Sequence, residues 1–170
     1  MPARLVALLA LAITTAAILA AQSSSAESGP PHDSITGSGW TAFTDFPTAG
    51  ETTIEHFAIS AHAGPAGEDP DGTIVFHSPL FDGPQIADVT CLVVDGNRAR
   101  VGGEFRELFD YIGFRIRHIE VVVEDLDSDD RSTGLVYIDR PRPPGFSPCD
   151  VDLPAVYHVV QGNYVVRDAT

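Results

Sequence analysis

The sequence predicts an all-β fold: a small antiparallel β-barrel of about eight or nine short strands, with a two-sheet β-sandwich as the alternative. Three features carry that prediction. Apolar and polar residues alternate with period two in short runs along most of the chain. Turn sequences such as "EDPDG" (Glu68–Gly72) and "DGN" (Asp95–Asn97) separate those runs and supply residues that tolerate positive φ. The long amphipathic period that parallel βαβ units require is absent from the sequence. Tight hairpins in succession favour a meander, and hence the barrel.

The chain opens with "MPARLVALLALAITTAAILAAQSSSA", in which Arg4 precedes an Ala- and Leu-rich run from Leu5 to Ala21. This reads as a secretory signal peptide over residues 1–26, with an uncleaved anchor as the alternative. Ser24-Ser25-Ala26 or Ala21-Gln22-Ser23 offers the small-x-small cleavage pattern. Residues 27–34 read as a disordered leader, and residues 35–170 as a single β-domain. Candidate strands are Gly39–Phe43, Thr53–Ala61, Thr73–His77, Ile86–Val94, Arg98–Phe105, Phe114–Glu124, Gly134–Ile138, Ala155–Val160 and Asn163–Arg167, the last two joined by a "QGN" turn at Gln161–Asn163. In "EFRELFDYIG", Phe105, Leu108, Phe109 and Ile112 recur at helical spacing, which predicts a two-turn helix or a lid loop there.

The hairpin "DVTCLVVDGNRARVGGEF" holds Cys91. Its pairing puts Thr90, Leu92, Val94, Ala99, Val101 and Gly103 on an apolar face. Val89, Cys91, Val93, Arg98, Arg100, Gly102 and Glu104 fall on a mixed one, where Gly102 leaves room beside the cysteine. The chain has two cysteines, and in an exported protein Cys91 and Cys149 read as one disulfide. The rival, a nucleophilic Cys91, lacks the His or helix N-terminus that would lower its pKa.

Net charge is −14, from 24 acidic residues against 10 Arg and no Lys, which argues against a nucleic-acid partner. Asp125, Asp127 and Asp129 stand at alternate positions like the start of a calcium loop. Asp130 replaces the turn glycine and Val136 the bidentate Glu of an EF-hand, so an irregular Ca²⁺ site competes with a solvated acidic turn. His56 and His62 share a strand face but lie about 20 Å apart, too far to chelate one ion. His118 and Glu120, two residues apart on one face, are the candidate acid/base or metal pair, with Glu104 beside them around a lumen. Trp40, Phe57, Phe76, Tyr137, Tyr157 and Tyr164 read as strand-core aromatics, with a carbohydrate platform as the alternative. Neither G-x-S-x-G, H-E-x-x-H, a phosphate-cradling Gly loop nor C-x-x-C occurs.

Together "GSG" at Gly37, "DVTCLVVDGNRARVGG", "VVVEDLDSDDRS", Cys149 and the closing "GNYVVRDA" resemble a group of small secreted proteins of GC-rich bacteria without known activity. The resemblance implies an exported β-domain bridged from Cys91 to Cys149, and it carries over no catalytic residue. The expected function is therefore a secreted, non-catalytic binding or interaction module without a cofactor, meeting a small ligand or an extracellular protein. The loops at Gly64–Gly72, Glu107–Gly113 and Pro141–Leu153 would make that contact, away from nucleic acid and, once the signal is cleaved, from membranes. The alternatives are a small barrel hydrolase or isomerase using His118 and Glu120, and a calcium-binding extracellular domain.

Overall fold

A computed structural model describes residues 32–43, 52–111, 113–126, 129–139 and 145–169. Eight strands, β1 (Asp33–Phe43), β2 (Thr53–Ala63), β3 (Asp71–His77), β4 (Gln85–Asp95), β5 (Arg98–Tyr111), β6 (Phe114–Glu124), β7 (Arg131–Ile138) and β8 (Tyr157–Arg167), follow one another as an antiparallel meander. β8 then pairs with β1 and closes the barrel. Closure removes the free edges that a sandwich of such strands would leave. Among the described residues, the regular structure outside the strands is a short 3-10 turn over Pro148–Asp150. The signal peptide and most of the leader expected from the sequence lie outside the described residues.

Alternation carries one face of every strand inward, so the lumen is filled by Ile35, Phe57, Ile59, Ile74, Leu92, Val101, Ile119, Val121, Val123 and Tyr164, each at most 3% exposed. Tyr164 braces it: its hydroxyl donates to the Phe57 carbonyl at 2.9 Å. The Phe57 ring reaches across to β7, where a Cβ on Gly134 would stand 2.4 Å from Phe57 Cζ. Gly134→Ala is therefore expected to lower stability by about 1–3 kcal/mol through overpacking, measurable by denaturant unfolding. A change under a few tenths would show that the ring has room to yield.

Two register shifts and one uninterrupted strand depart from the sequence reading. Register shifts between Val89 and Cys91, so Thr90 turns out to solvent and Val89 turns in, the reverse of the sequence reading. The segment Phe105–Phe109, read as helical, is strand: between Glu104 and Phe109 the register with β6 slips, which lets both phenylalanines face the interior. Helical spacing there reflects residues accommodated by a bulge. The "QGN" segment is likewise no turn. β8 runs through it, with Gly162 opposite Gly39 at φ 118°, a conformation that only glycine adopts cheaply. A Cβ there would lie 2.1 Å from the Ser38 carbonyl oxygen.

Among the described residues, β7 and β8 pair at two positions, Arg131 with His158 and Ser132 with Tyr157. The acidic β6–β7 connection covers the rest of that seam. Tyr164 N–H donates to Asp130 Oδ2 at 2.8 Å, Val166 N–H to Asp125 Oδ2 at 3.1 Å, and Val159 N–H to the Asp130 carbonyl at 2.9 Å. These β8 backbone donors are thus satisfied by the connection's carboxylates and by one of its carbonyls.

Candidate functional site

The ends of β1, β3 and β5 and the starts of β2, β4 and β6 lie at one end of the barrel, and the inward face there changes character. On β2 the inward phase reads Thr53, Glu55, Phe57, Ile59, Ala61, Ala63; all but Glu55 are buried. Glu55 is partly buried and hydrogen-bonds with Ser78, which is fully buried just beyond β3. Burial pushes its carboxyl up to about 7, and the Ser78 hydrogen bond only partly offsets this. Beside it, Thr41 and Ser132 are buried with their hydroxyl oxygens 2.6 Å apart, joined by one hydrogen bond.

Aromatic rings form an unbroken chain at this end of the barrel. Tyr157 packs on Phe43 (4.7 Å between centroids), Phe43 on Phe57 (6.2 Å), Phe57 stacks on Phe76 (5.2 Å), Phe76 meets Phe81 (5.6 Å), and Phe81 meets Phe109 (4.8 Å). Phe81, Phe109 and Tyr157 are only partly buried, so this end offers aromatic surface together with one protonatable carboxyl. Such a combination suits an apolar solute carrying a hydrogen-bonding group. The sequence reading passed over Glu55. Its signal was present: a carboxylate in phase with Phe57, Ile59 and Ala61 stands on the core face of its own strand.

The residues singled out from sequence lie elsewhere. Glu104 and His118 oppose one another, and Glu120 opposes Gly102, on the outer wall. A lumenal set of His118, Glu120 and Glu104 is therefore corrected: β6 directs Ile119, Val121 and Val123 inward, and its intervening positions point out. Glu104 is held by Arg117 at 2.8 Å, and Arg117 also binds Asp139. Glu120 is 0% exposed. Its Oε2 accepts a 2.6 Å hydrogen bond from the Tyr137 hydroxyl, while Oε1 is buried without a hydrogen-bond partner among the described residues. Burial raises this carboxyl to about 7, with smaller opposing effects from Tyr137, Arg100 and Arg98.

What covers Glu120 is the staple. Cys91, Gly102, Glu120 and Leu135 form a row across β4 to β7, and the turn Pro148–Asp150 packs over it. Cys91 and Cys149 form a disulfide with Cα atoms 6.1 Å apart. A Cβ on Gly102 would stand 2.4 Å from Cys91 Sγ and 2.6 Å from Pro148 Cβ, so the glycine makes the space that the cystine fills. Both sulfurs are consumed, and a thiol nucleophile is excluded.

Of the acidic triad, Asp125 serves the β8 seam, Asp129 binds His158 Nδ1 at 2.7 Å and Arg131 at 3.5 Å, and Asp127 lies outside the described residues. Among the described residues, no group of three or more His, Cys, Asp or Glu converges as a metal centre. Phe57, Phe76 and Tyr164 are core aromatics as expected. Trp40 instead stands on the outer wall opposite His56, and Tyr137 on the outer wall beside Phe146.

The fold and site thus define a class: a closed eight-stranded meander barrel, stapled once on its outer wall, with a titratable acid at its aromatic end. The disulfide fits an oxidising compartment, and no helix among the described residues is long and apolar enough to cross a membrane. Comparison of the chain with protein-family models, with curated proteins and with solved structures finds no match.

Proposed function

We propose that this protein is a secreted, non-catalytic binding module that takes a small, largely apolar ligand at the Glu55 end of its barrel. It belongs in this reading beside the small secreted β-proteins that its sequence resembles. The observation that carries the proposal is a partly exposed carboxyl, raised by burial to about 7, at the end of the barrel where the partly buried rings Phe81, Phe109 and Tyr157 lie. A flat apolar group would lie against Phe81, Phe109 and Tyr157, and an amide, hydroxyl or amine would bond to Glu55. Binding is favoured over catalysis because the neighbouring hydroxyls of Thr41 and Ser132 are committed to each other. Acid/base chemistry normally needs a second titrating group within hydrogen-bond reach, and Glu55 has Ser78 instead.

The test is a titration with 1-aminoanthracene, a fluorescent aromatic amine, at pH 5.5 and pH 8. Saturable binding is expected, tightening as Glu55 ionises to meet the amine. Glu55→Gln should remove the pH dependence, and Phe81→Ala should weaken binding about tenfold, the equivalent of about 1.4 kcal/mol. Binding that neither substitution changes would overturn the proposal, as would an absence of saturation at both pH values.

A further inference from the structure

Three side chains outside the barrel-end site form a row across the outer wall. Strand pairing sets Trp40 of β1 opposite His56 of β2, and His56 opposite His77 of β3. These residues occupy the solvent phase of strands whose other phase carries Phe57 and Phe76 into the core. The Trp40 ring lies 4.7 Å from the His56 ring and 6.0 Å from the His77 ring, centroid to centroid. All three are partly exposed. Neither imidazole is held by a carboxylate or backbone group among the described residues, in contrast to His62, which lies 3.8 Å from Asp71, and His158, which binds Asp129.

We propose that His56 and His77 form a two-imidazole site for a late first-row divalent cation, Cu²⁺ above all, with Trp40 as its wall. Directly opposed residues on antiparallel strands hold their Cβ atoms about 4.5–5.5 Å apart, a span that lets two imidazoles reach one ion from the same side. Imidazole suits copper, nickel and zinc, and affinity for a given nitrogen site peaks at Cu²⁺. Water or an external ligand would fill the remaining positions, so the site is open rather than structural. This pair escaped the sequence because the partners lie on different strands. Only the β2–β3 register, which also matches His62 with Asp71, brings them together.

Trp40 is the chain's single tryptophan, so the site reports on itself. Oxidised protein without a polyhistidine tag, titrated with Cu²⁺ at pH 7.5, should lose tryptophan fluorescence in a saturable, one-to-one manner that EDTA reverses. Ni²⁺ should compete more weakly. His56→Ala and His77→Ala should each weaken binding about a hundredfold, on the scale that loss of a metal partner produces, whereas His62→Ala should leave it unchanged. His56→Gln and His77→Gln keep more of the side-chain volume and should behave as the alanine variants do. Quenching that rises without saturation, or that persists undiminished in the folded His77 variants, would overturn the site.

Discussion

Replacing both cysteines, as Cys91→Ala with Cys149→Ala, is expected to lower the free energy of unfolding by about 4 kcal/mol, because the bridge closes a span of 58 residues and constrains the unfolded chain accordingly. For a domain of this size the melting temperature should fall by roughly 15 °C. The packing of the bridge adds to the entropic argument. Cys149 N–H lies 3.2 Å from both Cys91 Sγ and Ser147 Oγ, and Ser147 and Asp150 complete a capping box around the turn. Arg98 reaches the same segment through the Leu153 carbonyl and Asp152. Loss of the cystine should therefore loosen the cover over Glu120, and hydrogen exchange at residues 145–153 should rise before the barrel itself opens. A double variant within about 1 kcal/mol of the parent would show that the cover is held by its other contacts.

Much of this architecture was legible because alternation is a local property. β6 appears with the bounds read from its pattern, Phe114–Glu124, and Cys91 opposes Gly102 as hairpin pairing requires. What was lost is what bulges and register decide. Thr90 is one extra residue in β4, and it inverts every assignment before it in that strand. At Phe105–Phe109 the slip in pairing imitated a helix. The role of "EDLDSDD" was out of reach for another reason: its carboxylates serve the N–H groups of Tyr164 and Val166, which are distant in sequence, and no period announces a partner so far along the chain. Glu55 was readable, because it stands in phase with Phe57, Ile59 and Ala61 and opposite the His56 and His62 face of β2.

Stability should fall as pH rises from about 4.5 to 7, the opposite of the usual behaviour of carboxylates, and Glu120 is the main cause. Burial lifts its carboxyl from the ordinary value of 4.5 to about 7. Across that window the folded protein therefore holds a proton that the unfolded chain has released, and raising the pH favours unfolding. Below the window both states are protonated and above it both are ionised, so the dependence flattens on either side. At about 1.4 kcal/mol per pH unit the loss amounts to about 3 kcal/mol, on the scale expected for ionising a buried acid whose Oε1 lacks a hydrogen-bond partner among the described residues. Glu55 acts in the same direction. On the acid side the sign reverses: Asp88, Asp129, Asp139 and Asp152 are held below their ordinary value of 3.8 by hydrogen bonds with Arg106, His158, Arg117 and Arg98. Their contributions vanish as pH falls below about 4, which places the maximum of stability near pH 4–5. Glu120→Gln separates the two limbs. It should match the parent near pH 4.5, exceed it by up to about 3 kcal/mol at pH 8, and leave the acid limb unchanged. Denaturant unfolding of both proteins from pH 3 to pH 9 measures this directly. A parent profile that is flat between pH 4.5 and 7, or one that Glu120→Gln does not alter, would mean that Glu120 ionises without cost beneath its disulfide-anchored cover.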